Sequence, residues 1–165
     1  HCIGHELADE RLRIGAGVAQ GLAFGADIPV TPVSSLAALA QGVDALRVLA
    51  AFDARMNQIY SGAYVRNAQG IVELAGTESV LLPSDIPLPE GSNWVGAGNG
   101  WDQYHPALLQ RLGKHVVDWR KRVSPHARDV GRLGAVAVQA GKAIAAEQAL
   151  PVYVRDDVAV KQTKS

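Results

Sequence analysis

The chain has 165 residues, 48% of them hydrophobic and 19% charged, and its 16 basic side chains balance 16 acidic ones. A chain of this composition can bury a core as one domain or as two small lobes, and its charge balance excludes a global attraction to nucleic acid or to an anionic membrane. A single cysteine, Cys2, excludes an internal disulfide, and without a signal or spanning segment we expect a cytoplasmic protein. Because the sequence opens at His1 rather than at methionine, we also expect a fragment or a processed chain.

A run of small and apolar residues over 13–26 predicts a helix in which glycines recur once per turn, too short to span a membrane. Glycine costs about 1 kcal/mol relative to alanine inside a helix, and the usual compensation is the close approach of another backbone. A helical projection places on one side a glycine stripe made of Arg13, Ile14, Gly17, Gln20, Gly21, Phe24 and Gly25. We expect this stripe to meet a second helix, either in another chain or in the same domain. The opposite side, with Val18 and Leu22, is expected to dock on the chain's own sheet.

The segments that follow read as a connector and a short helix. Two prolines make 27–33 an extended connector, after which Ser34 or Ser35 offers an N-cap. The helix then spans 36–41, and Gly42 is suited to a left-handed C-cap.

The middle of the chain reads as a β-meander. Apolar runs at 46–52 and 59–65 predict the two strands of a hairpin with a longer loop, and a turn at 67–70 precedes a third strand at 71–74. The remaining predicted elements, in chain order, are a proline-rich loop at 83–89, a strand at 94–97, a helix at 101–112, a helix at 129–148 capped by Ser124 and Pro125, and a strand at 151–155.

Three groups of residues could carry chemistry, and each has a structural alternative. The amides of the glycine-rich run 96–100 could hold a phosphate, but the run lacks a P-loop lysine and the spacing of a dinucleotide fingerprint, which favours a tight turn. His1 and His5 have a metal-competent spacing on a helix, although they lie at the terminus. For Asp53 and Arg55, at the end of a predicted strand, we prefer the structural interpretation of an ion pair or a turn cap. Because no serine or cysteine has an evident base nearby, we expect no catalytic centre, no cofactor and no metal site.

The basic and aromatic residues do not suggest an RNA platform. The only basic cluster, Arg120 to Arg122, is short and is expected to be a solvated loop. The tryptophans at 94, 101 and 119 do not interleave with basic residues as a nucleic-acid platform requires. Any role on RNA would therefore be local or delegated to a partner.

Three segments of the chain resemble the TsaB (YeaZ) family of bacterial proteins. They are Leu12 to Gly42, Val48 to Met56 together with Ile59 and Tyr60, and Pro151 to Arg155. The resemblance runs colinearly from about Leu12 to about Lys161. It implies an α/β fold of the actin-like ATPase superfamily, with two ribonuclease-H-like lobes. It also implies a part in making threonylcarbamoyladenosine beside the anticodon of tRNA.

Within that system the resemblance implies a scaffold and not an enzyme. TsaD relatives carry a metal-binding His-x-x-x-His after the proline-rich connector, at positions held here by Ser35 and Leu39, neither of which can replace an imidazole. The implied partners are a TsaD-like paralogue, which is the transferase subunit, and a TsaE-like ATPase. A homodimer is expected when the chain is alone, and tRNA is expected to be contacted only through the complex. The alternatives are a metal-dependent endopeptidase or acyltransferase of the glycoprotease family that uses His1 and His5, and a phosphate binder at 96–100.

The chain departs from the family pattern before the glycine stripe. Family members usually begin with further strands and a glycine-rich loop, whereas residues 5–11 here read His-Glu-Leu-Ala-Asp-Glu-Arg. We therefore expect an incomplete amino-terminal lobe, with 1–42 as its remnant and 151–165 returning to it. Residues 43–150 are expected to form a complete carboxy-terminal lobe.

Overall fold

The computed structural model describes residues 3–150, with side chains from Ile14 onward. These residues form two compact units, one made of the residues up to 32 together with those from 134, and the other made of 33–133. The described helices are α1, Ile3–Ala26; α2, Ser35–Gln41; α3, Asn99–Leu112; and α4, Ala127–Gln139. The described strands are β1, Arg47–Arg55; β2, Gln58–Arg66; β3, Val72–Leu74; β4, Ser79–Leu81; β5, Trp94–Ala97; and β6, Val116–Arg120.

The smaller unit is built around α1, which confirms the predicted glycine helix and begins well before Arg13. After α1 the chain turns at Asp27, and Val30 then forms an antiparallel bridge with Ile144, with N–O distances of 2.9 and 2.8 Å. The Gln20 side-chain amide donates to the carbonyl of Ala146, at 3.1 Å, in a short 3-10 helix at Ala146–Gln148. The carboxy-terminal segment of the unit is therefore held to α1 by a side-chain hydrogen bond and to the segment after α1 by backbone hydrogen bonds.

The larger unit contains one mixed sheet with the strand order β3-β2-β1-β5-β6, and β4 pairs with β2 as well. β1, β2 and β3 are antiparallel neighbours, which confirms the predicted meander. β5 lies parallel to β1 and β6 lies parallel to β5. α3 makes the crossover from β5 to β6 that a parallel pair requires.

The sheet buries both of its faces. Val48 and Ala50 of β1 belong to a core that includes Leu36 and Leu39 of α2, whereas Leu49 and Ala51 belong to a second core that includes Trp101 and Leu108 of α3. This alternation follows from the two-residue period of a strand. The larger unit is thus a layered α/β structure, in agreement with the expected fold class.

Arg66 and Gln41 fix the end of α2 to β2 and β3. The Arg66 guanidinium donates to the carbonyls of Ala40, Gln41, Val43, Ala45 and Gly70 at 2.7–3.3 Å. The Gln41 side chain donates to the carbonyl of Gly70 and accepts from the amide of Val72, both at 2.9 Å. Buried polar groups are thereby satisfied, as a stable interior requires.

The predicted left-handed cap at Gly42 is wrong. Ser34 does cap α2, since its hydroxyl accepts from the amides of Leu36 and Ala37, but Gly42 has a right-handed conformation with φ −75°. A β carbon at this position would be tightly packed, since it would lie 3.0 Å from the carboxylate Oδ2 of Asp129.

The hairpin between β1 and β2 is confirmed, but its predicted longer loop is wrong. The strands are joined by Met56 and Asn57 alone, and both have positive φ values, 51° and 58°. Two central residues with positive φ are the signature of the type I′ turn, whose twist matches that of the strands it joins. A bulge between Asp53 and Arg55 precedes the turn.

Two predictions near the carboxy terminus also differ from the structure. α4 ends at Gln139 and not at residue 148, because Gly141 adopts a left-handed conformation with φ 70° and the amide of Lys142 bonds back to Ala137 at 2.9 Å. The sequence analysis did not identify β6, a five-residue edge strand that lacks a continuous apolar run. The strand predicted at 151–155 lies outside the described residues.

The sequence led us to expect a boundary between lobes after residue 42, whereas the two compact units of the structure are divided after residue 32. α2 packs into the core of the sheet and so belongs with residues 33–133, whereas 134–150 belongs with α1. The assignment of these parts to an amino-terminal and a carboxy-terminal lobe stays a prediction.

Candidate partner interface on the glycine stripe

The structure brings the predicted interface residues together on one side of α1. The side chains of Ile14 and Phe24 are 65% and 68% exposed. A β carbon placed at Gly17, Gly21 or Gly25 would meet no described heavy atom within 4 Å. Among the described residues of the smaller unit, the glycine positions and the apolar side chains of the stripe are therefore mostly uncovered, whereas Gln20, at the border of the stripe, donates to the carbonyl of Ala146. The side chain of Arg13 lies outside the described residues.

The opposite side of α1 is also exposed within the smaller unit, and its expected docking on the chain's own sheet stays a prediction. Val18 is 56% exposed and Leu22 is 71% exposed. The packed side of α1 is instead that of Ala23, which is 5% exposed and faces the segment around Ala146. The projection separated the glycine stripe from Val18, but it could not show that the contacts are made by the side of Ala23 together with Gln20, which lies at the border of the stripe.

The glycine-rich turn before α3 is explained by packing. A β carbon at Gly96 would overlap the ring of Trp101, and one at Gly98 would overlap the carbonyl oxygen of Ala51. At Gly100 it would lie 3.0 Å from Ala51. The same turn places Trp101 in the core, where its indole N–H donates to the carbonyl of Leu49 at 2.8 Å. These contacts support the tight-turn interpretation over a phosphate site.

Asp53 acts as the predicted turn cap. Its carboxylate accepts from the backbone amide of Arg55 at 2.9 Å, and the Arg55 guanidinium lies 3.5 Å from it. The sequence did not identify two further partners: the hydroxyl of Tyr104 donates to the same carboxylate at 3.2 Å, and the amide of Asp53 donates to the side chain of Asn99 at 3.0 Å. Desolvation and the nearby Asp53 charge raise the pKa of Tyr104, which keeps its hydroxyl a donor.

In the described part of the chain, no three His, Cys, Asp or Glu side chains lie close enough together to hold a metal ion. Leu39 is fully buried in the core, whereas Ser35 is an exposed residue of the first turn of α2. These two positions therefore offer no ligand pair. The side chains of His1 and His5 lie outside the described residues. No described helix is long and apolar enough to cross a membrane.

A mixed sheet with helices on both faces, accompanied by a long glycine-striped helix, is the architecture of an α/β protein of the actin-like type. The family model for TsaD, tRNA N6-adenosine threonylcarbamoyltransferase, matches residues 11–163. Within that wider group the curated relatives are TsaB proteins, and the chain belongs to the TsaB family.

Relatives and solved structures agree on this assignment. The chain is 39% identical to the tRNA threonylcarbamoyladenosine biosynthesis protein TsaB of Escherichia coli, over 92% of this chain and 68% of that protein. It is 33% identical to TsaB of Haemophilus influenzae, over 92% of this chain and 67% of that protein. YeaZ from Pseudomonas aeruginosa superposes with a TM-score of 0.76 at 44% identity, covering 86% of this chain and 66% of the other.

A second solved structure is a Pseudomonas aeruginosa protein described as similar to the peptidase YeaZ. It has a TM-score of 0.77 and 43% identity, and it covers 87% of this chain and 67% of its own. The chain thus spans about two thirds of the length of the proteins it matches.

Proposed function

We propose that the chain is a non-catalytic scaffold subunit of the machinery that makes threonylcarbamoyladenosine in tRNA, and that its glycine stripe is the contact surface for a TsaD-like paralogue. The observation that carries the proposal is the uncovered stripe: three glycines one turn apart, with no described atom near them, flanked by the exposed side chains of Ile14 and Phe24. The pathway is suggested by the TsaB relatives of Escherichia coli and Haemophilus influenzae, which are named for threonylcarbamoyladenosine biosynthesis in tRNA.

The stripe has the physical properties of a helix-docking site. Glycines let two helix backbones approach closely, and the glycine cost of about 1 kcal/mol per position is offset only if such an approach occurs. Flanking apolar side chains then add burial at roughly 25 cal/mol per Å² removed from water. A second helix with small residues of its own would fit this surface, which is the geometry that a structural paralogue can offer.

The remaining partners follow from the same role. We expect a TsaE-like ATPase to act on the pair, and we expect the chain to form a homodimer through the same stripe when the paralogue is absent. The tRNA is bound by the complex. A non-catalytic role is supported at the two positions where TsaD relatives carry metal-binding histidines. Here these positions hold Ser35, a surface hydroxyl, and Leu39, a buried leucine.

Reconstitution tests the proposal. The chain, the TsaD-family subunit and the ATPase of one organism are combined with an unmodified tRNA transcript, and threonylcarbamoyladenosine is measured by mass spectrometry with each subunit omitted in turn. We expect formation to require the chain, and sedimentation to show a complex of the chain with the TsaD-family subunit. Peptide hydrolysis by the chain alone, abolished by a chelator, would instead establish the endopeptidase alternative.

A further inference from the structure

Four cationic side chains lie at one edge of the sheet in the larger unit. Because β1, β5 and β6 are parallel, their carboxyl ends meet at this edge, and Ala50, Ala97 and Arg120 are in register across the three strands. Arg55 ends β1 and Arg120 ends β6, and Lys121 and Arg122 follow directly. All four side chains are exposed. We refer to this surface as the basic edge.

The first turn of α3 lies between the two ends of the basic edge. Asn99 accepts from the amide of Asp53 on β1 at 3.0 Å, and the carboxylate of Asp102 accepts from the amide of Arg122 at 3.3 Å. α3 has 14 residues, and its N-cap, Gly98, provides no side-chain hydrogen bond. The amino end of the helix therefore adds its partial positive charge to the same edge.

The carboxylates of this edge are engaged in local contacts. Asp53 accepts from the Arg55 amide and from Tyr104. Asp118 forms an ion pair with Arg120 and accepts from the amide of Trp119 at 2.7 Å. By contrast, no carboxylate in the described part of the chain lies within ion-pair distance of the Lys121 ammonium or the Arg122 guanidinium. The carboxylates of Asp53, Asp102 and Asp118 balance three of the four cations of the basic edge. Among the described residues, its two cations without an ion pair are Lys121 and Arg122.

An aromatic group adjoins the same two cations. Trp94 and Trp101 are buried in the core, whereas Trp119 is only half-buried on the edge strand. The ring of Trp119 stacks on His105, with centroids 4.9 Å apart and planes 18° apart, and the Lys121 ammonium lies 5.2 Å from the Trp119 ring. Surfaces that bind nucleic acid commonly combine cationic side chains with aromatic rings. The exposure of Lys121 and Arg122 in the turn after β6 agrees with the expected solvated loop, and the structure adds that the Trp119 ring adjoins the Lys121 ammonium.

We propose that the basic edge binds the sugar-phosphate backbone of RNA, with Lys121 and Arg122 as the principal phosphate contacts. The inference rests on the proposed function, in which the RNA is the tRNA held by the complex, and it extends that function by giving this chain direct contacts of its own. The exposed cations Lys121 and Arg122, which lack an ion pair among the described residues, together with the adjoining amino end of α3, match the charge of a polyanion.

Charge reversal tests the proposal. A fluorescently labelled, unmodified tRNA transcript is titrated with the chain, alone and combined with the TsaD-family subunit, at several salt concentrations. The test variant carries Lys121→Glu and Arg122→Glu. The matched control carries Lys114→Glu and Lys142→Glu, which change the net charge equally at exposed positions, one before the amino end of β6 and one in the smaller unit.

We expect the test variant to bind the tRNA about tenfold or more weakly and to reduce the slope of log affinity against log salt by about 1–2, because two phosphate contacts are lost. The control variant should change the affinity by less than about threefold. Equal losses in both variants, or no loss in either, would show that the basic edge does not contact RNA.

Pairing with the TsaD-family subunit is measured separately by sedimentation, and we expect it to be unchanged in both variants. If the unsubstituted chain pairs but adds nothing to the tRNA affinity of the complex, the basic edge proposal fails and the scaffold role stands. If the chain does not pair, the scaffold role fails, and the titrations with the chain alone still decide whether the basic edge binds RNA.

Discussion

Gly21 lies at the centre of the glycine stripe, so a leucine there is the most direct perturbation of the proposed interface. In the free chain a β carbon at this position meets no described atom within 4 Å, so a side chain can begin there without overlapping a described neighbour. It should improve the intrinsic helix propensity of α1 by something under about 1 kcal/mol. Against a closely packed second helix, the same side chain costs about 1–3 kcal/mol through overpacking. Folding and pairing should therefore change in opposite directions.

The matched control is Gly15→Leu, which makes the same change on the same helix outside the stripe, also where no described atom lies within 4 Å. Circular dichroism and thermal unfolding report on the fold, and sedimentation reports on the homodimer and on the pair with the TsaD-family subunit. We expect both variants to stay folded. Gly21→Leu should weaken pairing by about 5-fold to 150-fold, which corresponds to the overpacking cost, whereas Gly15→Leu should leave pairing unchanged.

Two results would contradict this reasoning. If Gly21→Leu unfolds the chain while Gly15→Leu does not, the stripe packs inside the chain's own fold. If Gly21→Leu leaves both folding and pairing unchanged, the stripe contacts nothing, and the scaffold role loses the observation that carries it.

Three further predictions concern the larger unit. Gly98→Ala should destabilise the fold by about 2 kcal/mol more than Gly76→Ala, as measured by urea unfolding. Both glycines have φ near 100°, but only at Gly98 would the added β carbon overlap a carbonyl oxygen, so equal losses of stability would contradict the steric explanation. Asp53→Asn should cost about 1 kcal/mol of stability and leave modification by the complex within a few-fold, whereas a loss of about 1,000-fold with an intact fold would indicate catalysis. Burial, followed by the hydrogen bond to Glu78, raises the pKa of Tyr64 above its ordinary value of 10.0. Because the folded state holds this proton more tightly, its contribution is present below pH 10 and is lost at higher pH, so Tyr64→Phe should flatten the fall in urea midpoint above pH 10.

The elements that sequence patterns predicted well are those in which a single local signal decides the structure. The glycine helix, the cap at Ser34 and the hairpin strands each depend on residues within one turn or one strand of each other. β6 was not predicted because an exposed edge strand need not alternate between apolar and polar residues, so it carries no local signal. The loop at Met56 was misjudged because neither it nor Asn57 is the glycine that usually marks a two-residue turn.

The candidate sites were harder to predict because they depend on contacts between distant segments. Asp53 and Arg55 are neighbours in sequence, and their turn cap was foreseen. The contacts of Asp53 with Asn99 and Tyr104 join residues about fifty positions apart, and no local pattern signals them. No local pattern signals the stacking of Trp119 on His105 of α3 either. Such groupings follow from the crossover that places α3 beside the parallel strands, which the predicted meander did not include.

The exposure of α1 connects the stability of the chain to its assembly. Among its described side chains only that of Ala23 is buried, whereas Ile14, Val18, Leu22 and Phe24 are each more than half exposed. An isolated helix is marginal in water, and most helical stability in proteins comes from packing of an apolar face. The contacts of Ala23 and Gln20 with the segment around Ala146 cover one side of α1 and leave the other two open. A helix of this kind gains its remaining stabilisation from whatever covers those sides. Occupation of the glycine stripe by a partner helix should therefore both form the complex and stabilise α1 itself.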